Sequence, residues 1–179
     1  MKKLESSITN MILVLVGVAL VTGAILAYVN NVTAGPIKEQ AEKTLTDGIK
    51  KVMGGKNDVK VSASKPITQN IKGKELTYVV HLTQDSKGND LGAAVESTTN
   101  GFGGDLKVLV GFNTEGEILG YTILQTAETP GLGAKAQDWF QKDGKGNIIG
   151  MNPSVPLTVN KDGGKVNAIT ASTITSRAF

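Results

Sequence analysis

Cysteine is absent from the 179-residue chain, which excludes disulfides, thiolate-bound metals, iron–sulfur ligation and a lipidated cysteine anchor. Histidine occurs once, at His81, too few for a histidine-rich metal or haem site. Arginine also occurs once, at Arg177, so the net charge of +3 comes from lysines scattered along the chain. They form no cluster interleaved with aromatic residues, which argues against a nucleic-acid partner.

Charge of either sign is missing between Glu5 and Lys38. Within that window Ile8–Val29 is an apolar run of roughly twenty residues, enough to cross a bilayer as a helix. It exceeds the roughly 7–15 apolar residues of a cleaved signal peptide, so a retained anchor is expected. Gly17, Ala19, Thr22, Gly23 and Ala24 allow close contact with another helix, and Tyr28 suits the outer interface. Lys2 and Lys3 precede the run, and the positive-inside rule then places the N-terminus in the cytoplasm. The expected organisation is an anchor and polar link over residues 1–35, then one extracytoplasmic domain over residues 36–179, attached to the inner cell membrane.

The text after the link predicts an α+β domain with an antiparallel sheet flanked by helices. Pro36 suits a first helical position, and Ile37, Ala41, Leu45, Ile49 and Val52 recur at helical spacing until Gly54 and Gly55 stop the pattern. Strand signals follow at Val59–Val61, Glu75–Thr83, Leu91–Glu96, Leu106–Phe112 and Ile118–Leu124, separated by short turns, which predicts a meander. A helix over Ala134–Gln141 and a last hairpin, Leu157–Val159 with Val166–Ile169 around Asp162-Gly163-Gly164, complete the expectation. His81 sits in an apolar strand pattern and reads as a satisfied core or edge histidine with no role.

Three segments carry candidate chemistry. In Val166–Arg177, Thr173 follows two small residues, Ala171 and Ser172, and opens a possible helix whose end favours a phosphate. Thr170 and Thr173 also read as ordinary turn and cap residues. In Glu128–Lys135, Pro130, Gly131 and Gly133 make a stiff loop with close backbone approach. Gly101-Phe102-Gly103-Gly104 is glycine-rich, but no GK[ST] sequence follows, so it is not a P-loop.

Asn167 through Thr170, Ala171 and Ser172 to Thr173 resembles the flavinylation motif of FMN-binding domains. Asn stands where that family usually has Asp, Ala where it has Gly, and Ser where it has Ala. Glu128-Thr129-Pro130-Gly131-Leu132-Gly133-Ala134-Lys135 resembles the E-T-P-G-L-G-x-K signature of the G subunit of Rnf electron-transport complexes. It is also similar to the C subunit of the sodium-pumping NADH:quinone reductase. The 101–104 stretch resembles the glycine-aromatic-glycine-glycine loop beside the flavin in the same family.

The resemblance implies FMN joined through a phosphoester to Thr173 by a separate flavin transferase that draws on FAD. Thr170, Ala171, Ser172 and Ser176 would frame the attachment. Glu128, Thr129, Gly131, Leu132, Gly133, Phe102 and Gly103 would border the flavin, Leu132 with an apolar face and Thr129 with a hydrogen bond. Lys135 would stabilise negative charge on the ring; Trp139 reads either as a cover for the ring edge or, as a lone Trp on a short helix more often does, as core. The implied function is an electron-carrying subunit, without a complete active site of its own, in a membrane complex moving electrons between ferredoxin and NAD with Na⁺ or H⁺ transport. Its partners would be the other subunits, the transferase and membrane lipid. Two alternatives stay open: the quinone-reductase subunit, and a membrane-anchored scaffold domain that holds flavin loosely or not at all. With the chain ending at Phe179, the helix behind the phosphate is expected to be poorly supported.

Overall fold

A computed structural model of the chain describes residues 7–55, 58–71 and 74–179. Lys2 and Lys3, on which the expected orientation rests, lie outside the described residues. The chain divides into two compact units, Met1–Lys43 and Thr44–Phe179.

Helix α1 runs over Ile8–Val52, so the expected polar link at residues 30–35 is helical. Pro36 lies inside this helix rather than at its start, leaving the Val32 carbonyl without its usual amide donor. Between Ser7 and Lys43 nearly every side chain is exposed, and this helix is long and apolar enough to cross a membrane. Ile37 and Ala41, expected in the core, are exposed too; only Leu45, Ile49 and Val52 of that stripe pack. Helical periodicity marks a face but not what covers it. The helix stops as expected, with Gly54 and Gly55 at positive φ and the Gly55 amide bonded to the Lys50 carbonyl.

The second unit is built on an antiparallel meander: β1 (Lys60–Ile71), β2 (Lys74–Gln84), β3 (Asp90–Asn100), β4 (Asp105–Phe112) and β5 (Ile118–Thr126), adjacent in chain order. This bears out the expected α+β class. Because side chains alternate between faces, the register pairing Val80 with Val95, Val95 with Val110 and Val110 with Tyr121 puts these four on one face, while His81, Ala94 and Gly111 share the other.

The His81 face meets the end of α1, where Ile49, Val52 and Met53 pack with Val59, Ala94 and Leu109. Contact is close enough that a Cβ at Gly111 would collide with the Val52 carbonyl. The opposite face is covered by the C-terminal third of the chain. Leu106, Val108, Ile118 and Tyr121 from the sheet pack with Ala136, Phe140, Ile148, Val166 and Ile169.

The covering segment has little regular structure. The helix expected over Ala134–Gln141 is a 3-10 turn, Gly133–Lys135, followed by one turn of α2 (Ala136–Trp139). Side-chain bonds from the sheet hold it: the Tyr121 hydroxyl donates to the Ala136 carbonyl and accepts from the Phe140 amide at 3.2 Å, and Gln137 Oε1 accepts from the Ile123 amide. Burial pushes the Tyr121 phenol well above its ordinary pKa. No hairpin forms between Leu157–Val159 and Val166–Ile169; the two meet only in an isolated parallel bridge, Val159 to Val166, across a 3-10 turn at Asn160–Asp162. Gly163 at positive φ ends that 3-10 segment.

The chain ends in α3 (Thr173–Ala178). Its support is better than the sequence leads one to expect. Phe179 stacks on Phe140 with ring centroids 4.5 Å apart and meets Tyr121 edge-on at 4.6 Å. Thr99 donates to the Ala178 carbonyl at 2.7 Å, and Arg177 grips Asp162 through two nitrogens.

Candidate cofactor-attachment site

Three segments converge at the first turn of α3. They enclose a cavity of about 400 Å³ lined by Phe102, Glu128, Thr129, Leu132, Gly133, Ala171, Ser172, Thr173, Ile174 and Thr175. The glycine-rich loop after β3, the Thr-Pro-Gly loop after β5 and the C-terminal motif are thus one site. Its size is within the range of cofactor pockets.

Glu128 organises the wall. It is 7% exposed, yet its carboxylate is fully engaged. Oε1 accepts from the Phe102 amide at 2.6 Å and the Gly103 amide at 3.4 Å, and Oε2 accepts from the Thr175 hydroxyl at 2.9 Å. A Cβ at Gly101 would strike Oε1, and one at Gly133 would strike Oε2 and come within 2.7 Å of Thr175 Oγ1. A side chain at either position would have to displace this carboxylate from its partners.

The attachment motif is held from inside. Ser176 Oγ donates to the Ser172 carbonyl at 2.8 Å and accepts from the Ile169 amide at 2.9 Å, closing the turn that precedes α3. Ser172, Thr175 and Ser176 are buried, while Thr173 is half-buried on the cavity side. Ala171 takes φ of 61°, the left-handed region, and is the one non-glycine among the described residues to do so. Where the flavinylation motif has Gly, this chain therefore has a residue under backbone strain.

Not every expected site residue meets at the cavity. Thr170 is exposed and outside the lining, Gly131 is exposed at the loop tip with φ of 77°, and Ser176 is buried within α3 and outside the lining. Gly103 contributes its amide to Glu128. Lys135 lines a separate depression with Asp138, Trp139 and Lys145. Trp139 is occupied there: its indole donates to the Asn167 carbonyl at 2.8 Å, and the Lys145 ammonium lies 5.9 Å from its ring centre. Sequence reasoning missed Thr175, whose hydroxyl is the partner of Glu128; its only signal was a polar residue two positions beyond Thr173.

Asn167 proves to be structural as well as a departure from the motif. Its Nδ2 donates to the Lys145 carbonyl at 2.8 Å and its Oδ1 accepts from Asn160 at 3.2 Å. A carboxylate cannot supply the first of these bonds.

The residues fit a phosphate-tethered flavin. Phe102, Leu132 and Ile174 present exposed apolar surface around the cavity, and a half-buried threonine hydroxyl opens on it. With six residues α3 has little dipole to offer, so the fit rests on the cavity and hydroxyl.

An α+β domain with such a cavity, preceded by a helix able to span a bilayer, defines the class of a membrane-anchored flavin-binding domain. A family model described as the FMN-binding domain matches residues 101–179, the part of the chain that builds the cavity. The G subunit of the ion-translocating oxidoreductase complex of Shewanella oneidensis is 32% identical over 90% of this chain and 79% of its own length. The G subunit of the Na⁺-translocating ferredoxin:NAD⁺ oxidoreductase complex of Acetobacterium woodii is 32% identical over 93% of this chain and 83% of its own. The corresponding protein of Photorhabdus laumondii is 33% identical over 89% and 78%. The chain belongs to the family of G subunits of ion-translocating oxidoreductase complexes. It has an FMN-binding domain and is membrane-anchored.

Proposed function

We propose that this chain is the electron-carrying G subunit of a membrane-bound, ion-translocating ferredoxin:NAD oxidoreductase, with FMN held through a phosphoester on Thr173. The observation that carries the reading is the convergence of Phe102, Glu128, Leu132 and Thr173 on one cavity. Three segments far apart in sequence meet where a tethered cofactor would lie.

Bound FMN would supply one- and two-electron chemistry that no residue of this chain offers. Thr173 supplies the attachment oxygen. In the transfer its oxygen would bond to the flavin-side phosphorus of FAD as the phosphoanhydride bond breaks, with AMP as the leaving group and the hydroxyl proton going to solvent. Leu132 and Phe102 give the flat ring apolar surface, and Thr129 offers a hydroxyl at its edge. Ala171 and Ser172 leave room for the phosphate. Lys135, exposed in the neighbouring depression, acts on the ring only at longer range.

The protein works beside the other membrane subunits of the complex, is matured by a flavin transferase, and crosses the inner cell membrane once with its domain outside. Lys2 and Lys3 support that orientation. The anchor is assigned to residues 1–35 and the domain to residues 36–179.

Co-production with a flavin transferase should give a band that keeps flavin fluorescence after denaturation, and Thr173→Ala should abolish it. A fluorescent Thr173→Ala band would place the attachment elsewhere. Because the chain has no cysteine, Ser86→Cys in the exposed β2–β3 turn gives a single label site. A membrane-impermeant maleimide should label it in intact cells, and labelling only after lysis would reverse the orientation.

A further inference from the structure

Glu128 has more internal work than a flavin contact requires. Its two oxygens join the loop after β3 to the third residue of α3, with three donors and an enclosure that a Cβ at 101 or 133 would disturb. None of the ion pairs among the described residues involves it. Its charge is met by two amides and a hydroxyl alone, an arrangement that depends on geometry being kept. Ser172, at the N-cap of α3, makes no side-chain cap bond, so beside the backbone bond from the Ser176 amide to the Ser172 carbonyl the first turn is held by the Glu128–Thr175 contact and the Ser176 hydroxyl.

We propose that Glu128 is a positioning residue for flavin attachment: its carboxylate latches the 101–104 loop to Thr175 and thereby fixes where Thr173 presents its hydroxyl. This rests on Thr173 being the acceptor. Thr173 lies two residues from Thr175 on the same short turn, so a displacement of Thr175 moves it. Attack on a phosphorus atom is sensitive to such displacement, because a misplacement of about 1 Å costs on the order of a hundredfold in a positioned reaction.

The test uses the full-length chain as native protein and as Glu128→Gln, Glu128→Asp and Thr175→Val, each made with and without a flavin transferase. Gln keeps an oxygen for the Phe102 amide and turns an amino group to the Thr175 oxygen, so its flavinylation rate should stay within about threefold of native. Asp is one methylene short of spanning both partners and Val has no hydroxyl, so these should be slowed roughly tenfold or more. In the protein without flavin, hydrogen exchange at Phe102, Gly103 and residues 172–176 should quicken in the Asp and Val variants and not in Gln. Equal flavinylation of native and all variants would overturn the proposal. So would equal slowing of Gln and Asp with matching losses of melting temperature, which would make Glu128 a packing residue only. A native chain that takes up no flavin overturns the attachment reading itself, a result distinct from failure of the latch.

Discussion

The two faces of the sheet are covered by opposite means. On the His81 face one regular helix end, Ile49–Met53, packs against Ala94 and Leu109. On the other face the cover is loops, a single α-turn and α3, and the cover itself buries polar groups, Glu128, Ser172, Thr175 and Ser176, whereas on the His81 face the buried polar groups, His81, Thr83 and Thr122, come from the sheet. A helix satisfies its own backbone and can cover a sheet with apolar side chains alone. An irregular cover must find partners for its backbone from side chains, and those same polar side chains can build a site.

Phe140→Ala gives the largest expected break in this comparison. The ring is 1% exposed and carries the stack with Phe179, so its loss should cost about 3–5 kcal/mol in chemical denaturation. Flavin attachment should fall with it, since α3 loses its aromatic anchor. Gly111→Ala acts on the other face, against the Val52 carbonyl, and should cost about 1–3 kcal/mol. At temperatures where that variant stays folded its flavinylation should match native protein; a specific loss of attachment would mean the two faces are coupled.

Ala171→Gly should go the other way. It relieves a left-handed backbone that costs roughly 1–2 kcal/mol for a residue with a Cβ, less the entropy that Gly adds to the unfolded chain. A net gain of about 0.5–1 kcal/mol is expected. A loss of stability would mean that the alanine methyl packs more favourably than its exposed position suggests.

The smallest effect concerns pH on the helix-covered face. His81 donates or accepts at Nδ1 with Ser64 Oγ at 2.8 Å, but its buried Nε2 has no partner among the described residues, contrary to the satisfied histidine the strand pattern suggests. Burial lowers its pKa below 6.5, and the Glu96 carboxylate opposes this only in part. The unfolded chain therefore binds the proton more readily than the folded one. This contribution to stability is present in full above about pH 6.5 and shrinks as pH falls through that value toward the folded pKa. His81→Gln should flatten the slope of stability between pH 7.5 and 5.5; an unchanged slope would assign it to other groups.

Regular elements were legible in the sequence where pattern and environment coincide. The strands were legible from β-branched and aromatic runs between short turns, nearly continuous in β4 and β5, where the meander buries both of its faces, and the α1 stop is written in Gly54 and Gly55. The polar link was misread because Asn30, Asn31 and Thr33 are poor helix residues in water and Pro36 looks like a start, yet α1 runs through them. The C-terminal hairpin failed because Asp162-Gly163-Gly164 turns the chain without reversing it. Thr173 and Glu128 were visible through resemblance, whereas the Thr175 bond, the Ala171 strain and the placing of Lys135 beside Trp139 depend on contacts between distant segments. Periodicity has no access to those.

The most direct test of the central claim is the mass of one peptide. Trypsin, cutting after Lys165 and Arg177, releases Val166–Arg177 from protein made beside a flavin transferase. This peptide should gain the mass of FMN less one water, with fragmentation placing the addition on Thr173. An unmodified peptide from a chain otherwise folded, or an addition on Thr170, Ser172 or Thr175, would contradict it.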